Sequence, residues 1–238
     1  MTTTPAPLRP AATVLLLRDG APRTGDHTLE VWLMERNRSV GFMASAWVFP
    51  GGRVDAADSE RAVDVPDDAI PRAFRVAAAR ELLEEAGVDL GDDLRCLRPW
   101  AHWITPEVEA RRYDTWFFAA ALPAGAVARI DGQEAVAGAW FAPGDAAACV
   151  EAGTLPVAPP TLRTLRELER FATVRDVLAA ARATPPICPR FWRDDAGGLW
   201  VLLPGDPGHP SPDAVEPPTR FAFDAGRWWE RGPAAGSA

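Results

Sequence analysis

Short alternating segments and a few longer amphipathic segments set the pattern of apolar and polar residues along this 238-residue chain. Alternation with a period of two predicts a strand buried on one face, and apolar residues spaced three and four apart predict a helix packed on one side. We predict strands over 13–17, 29–34, 47–49, 94–97, 100–104, 114–120, 136–141, 199–203 and 220–223. We predict helices over 72–86, 145–151, 162–171 and 174–182, the last with Thr173 as its N-cap. These elements indicate an α/β chain of the α+β type, in which helices pack on a mixed or antiparallel sheet.

The composition changes along the chain and suggests how the chain is organised. Residues 1–10 are polar with several prolines and predict a disordered tail, and the acidic stretch 56–70 predicts a surface insertion. Beyond residue 184 the chain is rich in Pro, Gly and Trp. We therefore expect a main domain over 11–183 and a C-terminal extension over 184–238 that packs on it. The tryptophans of the extension are compatible with a lid, a homodimer contact or a cover for the core.

Charge and cysteine content narrow the classes of function. The formal net charge of −8 disfavours binding to the nucleic-acid backbone. Cys96, Cys149 and Cys188 form no Cys-x-x-Cys pair, and their odd number argues against a disulfide framework. The first residues lack a charged segment followed by an apolar one, and no apolar stretch is long enough to span a bilayer. We expect a cytoplasmic protein that binds neither nucleic acid nor membrane.

The helix predicted over 72–86 places three carboxylates on one side, and Gly87 ends it because glycine accepts a positive φ. On a helical wheel Glu81, Glu84 and Glu85 share an arc of about 100°. The opposite stripe is apolar and consists of Val76, Ala79, Leu82, Leu83 and Ala86. Like charges at these spacings cost roughly 0.2–0.5 kcal/mol per pair, which a hard divalent cation such as Mg²⁺ would offset. A solvated acidic face, with Arg80 paired to Glu84, explains the same pattern.

The residues around this helix resemble the signature of the Nudix hydrolases. Gly52 matches the first glycine of the signature, and its second half is matched by Arg80, Glu81, Leu82, Glu84, Glu85, Gly87 and Val88. Asp58 stands where the signature has a glutamate, and about 14 extra residues separate it from Arg80. A split signature beginning with Phe-Pro-Gly-Gly is similar to the subgroup that contains peroxisomal coenzyme A diphosphatases. Further similarities to that subgroup lie at 41–43, 48–49, 103–106, 111–118 and 159–161, so that the resemblance covers roughly residues 11–171.

The resemblance implies an αβα sandwich around a mixed sheet and the hydrolysis of a nucleoside diphosphate linked to another group, with Mg²⁺ or Mn²⁺ as cofactor. It implies that Glu81, Glu84 and Glu85 bind metal together with the carbonyl of Gly52, and that Arg80 orients a glutamate. A general base must reach the attacking water, and the candidates are Glu81 itself and Glu134. Glu134 is explained more readily as a solvated hairpin residue than as a base. Asp58 is interpreted as a loop residue more readily than as a substitute for the missing glutamate.

The rest of the substrate has to be recognised by other side chains, and arginines near strand ends are natural phosphate clamps. The candidates are Arg36, Arg38, Arg53, Arg111 and Arg112, although surface salt bridges would also explain each of them. The subgroup resemblance favours coenzyme A or acyl-CoA as substrate, with 3′,5′-ADP and phosphopantetheine or its acyl form as products. ADP-ribose, a dinucleotide or a nucleoside triphosphate remains an alternative substrate. A nucleotide-metabolite sensor without turnover is the alternative of another class.

Overall fold

A computed structural model of the chain describes residues 4–22, 27–37, 45–211 and 219–232. Within these ranges the helices are α1 (Arg72–Ala86), α2 (Pro143–Ala152), α3 (Pro159–Leu168) and α4 (Val174–Ala179). The strands of the main sheet are β1 (Leu8–Asp19), β2 (Leu29–Arg36), β3 (Trp47–Val48), β4 (Gly51–Arg53), β5 (Arg98–Ile104), β6 (Arg112–Ala121), β7 (Ala135–Phe141) and β8 (Pro186–Ile187). Four further strands are β9 (Arg190–Arg193), β10 (Leu199–Leu202), β11 (Arg220–Asp224) and β12 (Arg227–Arg231). Short 3₁₀ helices span Ala56–Ser59 and Leu94–Cys96.

The main sheet is mixed and is built around two long central strands. Its order is β3-β2-β1-β6-β5-β8, with β4 added alongside β1 and β7 alongside β2. β1 and β6 run parallel in a register from Leu8 opposite Arg112 to Leu17 opposite Ala121. β1 pairs antiparallel with β4 near its start and with β2 near its end, so that its other edge changes partner along its length.

Alternate residues of the central strand enter two different cores, which gives the fold its layers. Leu15 and Leu17 of β1 join the cluster that contains residues of α2, α3 and α4. Val14 and Leu16 join the cluster on the opposite face, which contains the buried side of α1. Because successive side chains of a strand point to opposite faces, one strand supplies both cores. The αβα sandwich around a mixed sheet is therefore confirmed.

The C-terminal strands attach to this sandwich in two ways. β8 pairs in parallel with β5 at the edge of the main sheet, and β9 to β12 form an antiparallel sheet of their own. Val201 and Phe221 of this second sheet belong to the same buried cluster as Leu165 of α3. The division of the chain at residue 183 stays a prediction. No helix among the described residues combines the length and apolar character that crossing a membrane requires.

Three local expectations were wrong. The strand predicted over 94–97 contains a 3₁₀ helix instead, because the Asp93 carboxylate accepts a hydrogen bond from the amide of Arg95 and bends the chain locally. Residues 8–10, which were assigned to the tail, belong to β1 because they pair with the start of β6. Leu83 was assigned to the buried stripe of α1, yet it is 47% exposed. The buried face of α1 is turned towards Glu85, by roughly 60° on the helical wheel.

Candidate active site

The end of α1 is fixed by its C-cap, which sets where the acidic residues lie. Gly87 has a φ of 65°, and its amide donates to the carbonyl of Leu83 at 3.0 Å. This left-handed residue closes the last helical turn, as glycine does at many helix ends. Glu81, Glu84 and Glu85 therefore lie in the last two turns, next to the strand β4.

Glu85 is the most buried of the three glutamates. It is 8% exposed, and its Oε2 accepts a hydrogen bond of 2.7 Å from the backbone amide of Gly51. Burial raises the pKa of Glu85 to about 8, and the Gly51 amide only partly opposes this rise. The charges of Glu81 and Glu134 raise the pKa of Glu85 further. The side chain is thus held in place, and the Gly51 amide and the charge of Arg36 offset only part of the cost of burying its negative charge.

Glu81 lies directly against Gly52. A Cβ added at Gly52 would lie 2.3 Å from Oε1 of Glu81, so a larger residue there would displace this carboxylate. Burial is the largest cause of a raised pKa of Glu81, and the bond to Arg80 opposes it. The carboxylate of Glu81 and the backbone of β4 therefore form one wall of the site.

Arg80 connects the acidic residues. Its guanidinium donates to Oε1 of Glu81 at 2.9 Å, to Oε2 of Glu84 at 3.1 Å and to the carbonyl of Arg53 at 2.9 Å. It also forks onto both oxygens of Asp58, at 3.0 and 3.1 Å, and this pairing is the largest cause of the raised pKa of Arg80. The predicted orienting role of Arg80 agrees with these contacts.

Asp58, which the sequence suggested is a simple loop residue, is buried and bonded to Arg80. It is 3% exposed, lies in the 3₁₀ helix Ala56–Ser59 and accepts a hydrogen bond from the backbone amide of Asp55. An aspartate side chain is shorter than the glutamate of the signature, but the 3₁₀ helix brings the carboxylate of Asp58 within hydrogen-bond distance of Arg80. It acts through Arg80 and does not line the cavity described below.

Glu84 behaves differently from the other two glutamates. Its side chain is 57% exposed and is paired with Arg80, which is the arrangement that the alternative interpretation of the acidic face expected. Across the described ranges, no group of three or more Asp, Glu, His or Cys side chains is arranged to hold a metal ion. The structure thus brings Glu81 and Glu85 together at β4 and turns Glu84 towards solvent.

The chemistry of the two buried carboxylates nevertheless fits a hard divalent cation. Burial and neighbouring negative charge raise the pKa of both Glu81 and Glu85, and a cation would relieve this cost. Carboxylate and carbonyl oxygens are also the ligands that Mg²⁺ accepts while it keeps waters for a phosphate substrate. The donors that fit the ion are therefore Glu81, Glu85 and the backbone at Gly52.

A cavity of about 560 Å³ opens beside these residues. Gly51, Gly52 and Glu81 form one side of it. The remaining walls come from the central strands and from the start of α3, and they include Thr13, Tyr113, Thr115, Phe117, Pro160 and Thr161. A cleft of this size, with apolar walls and a few converging polar groups, is typical of a small-molecule site.

The predicted arginines separate into three groups. Arg36, Arg53 and Arg111 line the cavity, and Nε of Arg36 is buried without a partner among the described residues. Arg112 does not line it: its buried guanidinium donates to the backbone carbonyls of Thr105 and Ala6, and these contacts favour a structural role over the predicted phosphate clamp. Arg38 lies outside the described residues.

Glu134 lies at the edge of the same cavity, immediately before β7. Its charge contributes to the raised pKa of both Glu81 and Glu85, so it belongs electrostatically to the site. Its side chain is exposed to solvent. Its role as general base stays a prediction.

Several residues of the cavity were not found from the sequence as site residues. Tyr113, Phe117 and Thr161 have ordinary strand or helix surroundings, and only the fold brings them beside Gly52. The alternation along β6 offered one signal, since Tyr113, Thr115 and Phe117 are spaced two apart and share a face. His102, interpreted as a polar contact, pairs with Asp114 and stacks on Trp116 with ring centroids 4.3 Å apart.

Comparison with known proteins gives consistent results. The model of the NUDIX domain family matches residues 7–164. The acyl-coenzyme A diphosphatase NUDT19 of Gallus gallus is 27% identical to the chain, over 85% of this chain and 80% of that protein. The human protein of the same name is 25% identical, over 73% and 70%. A NUDIX hydrolase of Alicyclobacillus acidocaldarius superposes with a TM-score of 0.66 and 25% identity, covering 76% of this chain and 99% of that one.

Proposed function

Because the chain belongs to the Nudix family of hydrolases, we propose that this pyrophosphatase cleaves the diphosphate of coenzyme A or acyl-CoA. The products are then 3′,5′-ADP and phosphopantetheine or its acyl form. The observation that carries the proposal is the cavity in which Glu81 meets Gly52 while three arginines line the same space. The relatives named acyl-coenzyme A diphosphatase support the choice of substrate.

Residues in and beside the cavity have distinct roles in this reaction. Glu81 and Glu85, with the carbonyl of Gly52, hold the cation, and Arg80 keeps Glu81 oriented through the bond at 2.9 Å. When bound, a Mg²⁺ or Mn²⁺ ion neutralises charge on the diphosphate and lowers the pKa of a water molecule. Glu134 accepts the proton of the attacking water.

The arginines bind the phosphates. Arg36, Arg53 and Arg111 present guanidinium groups to the cavity, and a guanidinium can donate two parallel hydrogen bonds to a phosphate. The buried Nε of Arg36 gains a partner when a phosphate oxygen is present. Coenzyme A carries a 3′-phosphate that ADP-ribose lacks, so a cluster of arginines favours coenzyme A.

Cofactor identity, location and assembly are part of the same proposal. Mg²⁺ or Mn²⁺ is the proposed ion, because both accept carboxylate oxygens. A cytoplasmic location is proposed from the free thiols of Cys96, Cys149 and Cys188. A homodimer is proposed through the tryptophan-rich C-terminal sheet, where Trp192 is among the most exposed large apolar residues.

A substrate panel tests the proposal. The purified protein is incubated with Mg²⁺ or Mn²⁺ and with coenzyme A, acetyl-CoA, ADP-ribose, a dinucleotide or a nucleoside triphosphate, and the products are identified by mass. Coenzyme A or its thioester should be turned over at least tenfold more efficiently than ADP-ribose. If ADP-ribose is instead favoured tenfold, the coenzyme A assignment is wrong.

A pair of matched variants tests the site itself. Glu81→Gln keeps the size of the side chain and removes its charge, so kcat should fall by a factor of at least about 100. Glu60→Gln changes an exposed glutamate outside the cavity and should leave kcat unchanged. Metal-independent binding of nucleotide without turnover in the unmodified protein would favour the sensor instead.

A further inference from the structure

A second chamber of about 360 Å³ lies beneath α3, on the same side of the sheet as the catalytic cavity. Trp100, Ala101 and Trp103 of β5 and Ile187 of β8 form its floor, and α3 contributes Thr164 above them. These residues have no role in the proposed hydrolytic step, so the chamber is free to hold another part of the substrate.

The chamber is the direct neighbour of the catalytic cavity. Trp103 and Ala101, which line the chamber, pair across the sheet with Thr115 and Phe117, which line the cavity. Directly paired residues in an antiparallel ladder have Cβ atoms about 5 Å apart. The cavity lies over β1 and β6 and the chamber over β5 and β8, so their centres are about 10 Å apart at a strand spacing of roughly 4.8 Å.

Helix α3 forms a common roof. Thr161 lines the cavity and Thr164 lines the chamber, and residues three apart on a helix are neighbours on one face. A ligand anchored at Glu81 can therefore extend along α3 from one space into the other. Such a ligand needs a long arm that passes between Phe117 and Thr161.

The chamber wall contains a hydrogen-bond donor that the protein does not use. Trp100 is 1% exposed, and its Nε1 has no partner within the described ranges. Thr164, which is also buried, adds a hydroxyl group to the lining. A buried donor without a partner destabilises the protein, so an acceptor in the chamber would stabilise the complex.

The charges around the chamber are balanced, which favours a neutral acceptor over an anion. Arg182 donates to Glu167 at 2.7 Å and stacks on the ring of Trp100 at 4.0 Å. Arg163 donates to the other oxygen of Glu167 at 2.7 Å, and Glu230 lies 3.8 Å from Arg163. Two arginines thus face two glutamates. An aliphatic arm that carries amide carbonyls would match a chamber whose apolar walls contain the Nε1 of Trp100 and the hydroxyl of Thr164.

We propose that this chamber binds the amide-bearing, non-nucleotide arm of the diphosphate substrate and so selects coenzyme A over substrates with a short second group. The inference rests on the proposed function, because it takes the arm to be pantetheine. Trp100 and Thr164 donate to the amide carbonyls, and Trp103 and Ile187 pack along the methylene groups. The chamber then acts on substrate binding and leaves the hydrolytic step to the cavity.

A substitution at the rim tests the proposal without disturbing the core. Ala183 is exposed and lines the chamber, so the indole of Ala183→Trp would occupy part of its volume. Ala181→Trp is the matched control, because Ala181 is exposed two residues earlier and does not line the chamber. Thr164→Val removes the hydroxyl at nearly constant volume.

The kinetic measurement compares coenzyme A with a short-arm analogue, the methyl diphosphate ester of 3′-phosphoadenosine. Ala183→Trp should raise KM for coenzyme A at least tenfold and leave KM for the analogue within twofold. Thr164→Val should raise KM for coenzyme A by about three- to tenfold, as expected for one hydrogen bond. Equal effects on both substrates, no effect on either, or the same effect from Ala181→Trp would overturn the proposal.

Failure of the proposed function is recognised separately. If the unmodified protein hydrolyses neither compound with Mg²⁺ or Mn²⁺, the diphosphatase assignment fails, and calorimetry with pantetheine then decides the inference alone. Binding that is lost in Ala183→Trp and kept in Ala181→Trp supports the chamber as the site of the arm. Absence of pantetheine binding, or equal binding to both variants, refutes it.

Discussion

Replacing Glu85 by glutamine should stabilise the metal-free protein at alkaline pH. Burial raises the pKa of Glu85 to about 8, against an ordinary value of 4.5, and the side chain is 8% exposed. Glutamine has the same shape, and its amide oxygen can still accept the hydrogen bond that Gly51 donates at 2.7 Å. The substitution therefore removes the buried charge and leaves the packing in place.

The magnitude follows from the linkage between proton binding and folding. Because the pKa is higher in the folded state, the folded protein binds a proton that the unfolded chain has released between pH 4.5 and about 8. The free energy of unfolding therefore falls as the pH rises through this window. One pH unit corresponds to about 1.4 kcal/mol, so the full effect is on the order of 5 kcal/mol above pH 8 and vanishes below pH 4.5.

Urea unfolding at pH 5 and pH 8.5, with EDTA present, measures the effect. At pH 8.5 Glu85→Gln should unfold at higher urea than the unmodified protein with the same m value, whereas the two should be similar at pH 5. Glu84→Gln is the control, because it changes an exposed side chain and keeps Glu85, so its stability should follow the same pH dependence as that of the unmodified protein. Addition of Mg²⁺ at pH 8.5 should stabilise the unmodified protein more than Glu85→Gln. A Glu85→Gln variant that is no more stable at pH 8.5 in EDTA would refute the reasoning.

Four further substitutions probe the site. Gly52→Ala places a methyl group 2.3 Å from the carboxylate of Glu81 and so displaces it. We expect kcat/KM to fall by at least about 100-fold in a steady-state assay, while circular dichroism shows a folded protein. Asp58→Asn weakens the support of Arg80 and should lower the free energy of unfolding by about 1–3 kcal/mol in urea titrations; an unchanged midpoint would contradict this role. Arg111→Gln should raise KM about tenfold without loss of stability, because Arg111 lines the cavity. Arg112→Gln should lower the free energy of unfolding by about 1–3 kcal/mol and leave KM within twofold, because Arg112 bonds the backbone. The reverse pattern would contradict a phosphate-binding role for Arg111 and a structural role for Arg112.

Elements with strong local signals were predictable from the sequence. Helix α1 spans Arg72–Ala86 as predicted, because the glycine that follows it accepts the left-handed conformation. Thr173 caps α4 and accepts a hydrogen bond from the amide of Asp176, as expected for an N-cap. The segment 94–97 failed because a single side-chain contact, from Asp93 to the next turn, outweighs the apolar character of Leu94 and Leu97.

The site was predictable only in part, for a physical reason. On the helical wheel the three glutamates share one arc, but a wheel does not show which side of α1 packs against β4. The packing buries Glu85 and exposes Glu84, although the two are consecutive. Arg111 and Arg112 are likewise consecutive, and the sheet register turns one into the cavity and the other towards Thr105. Such choices depend on contacts between distant segments, which local periodicity does not encode.

The insertion between β4 and α1 explains how a split signature can keep its geometry. Asp58 precedes the extra residues, so its distance along the chain from Gly52 is that of the family pattern. The two ends of the insertion are held together, because the guanidinium of Arg72 donates to the carbonyl of Ser59 at 2.9 Å. Arg75 then ties the excursion to α1 through Asp68. Since the two ends meet, inserted residues cost chain entropy and yet do not displace the carboxylate that supports Arg80.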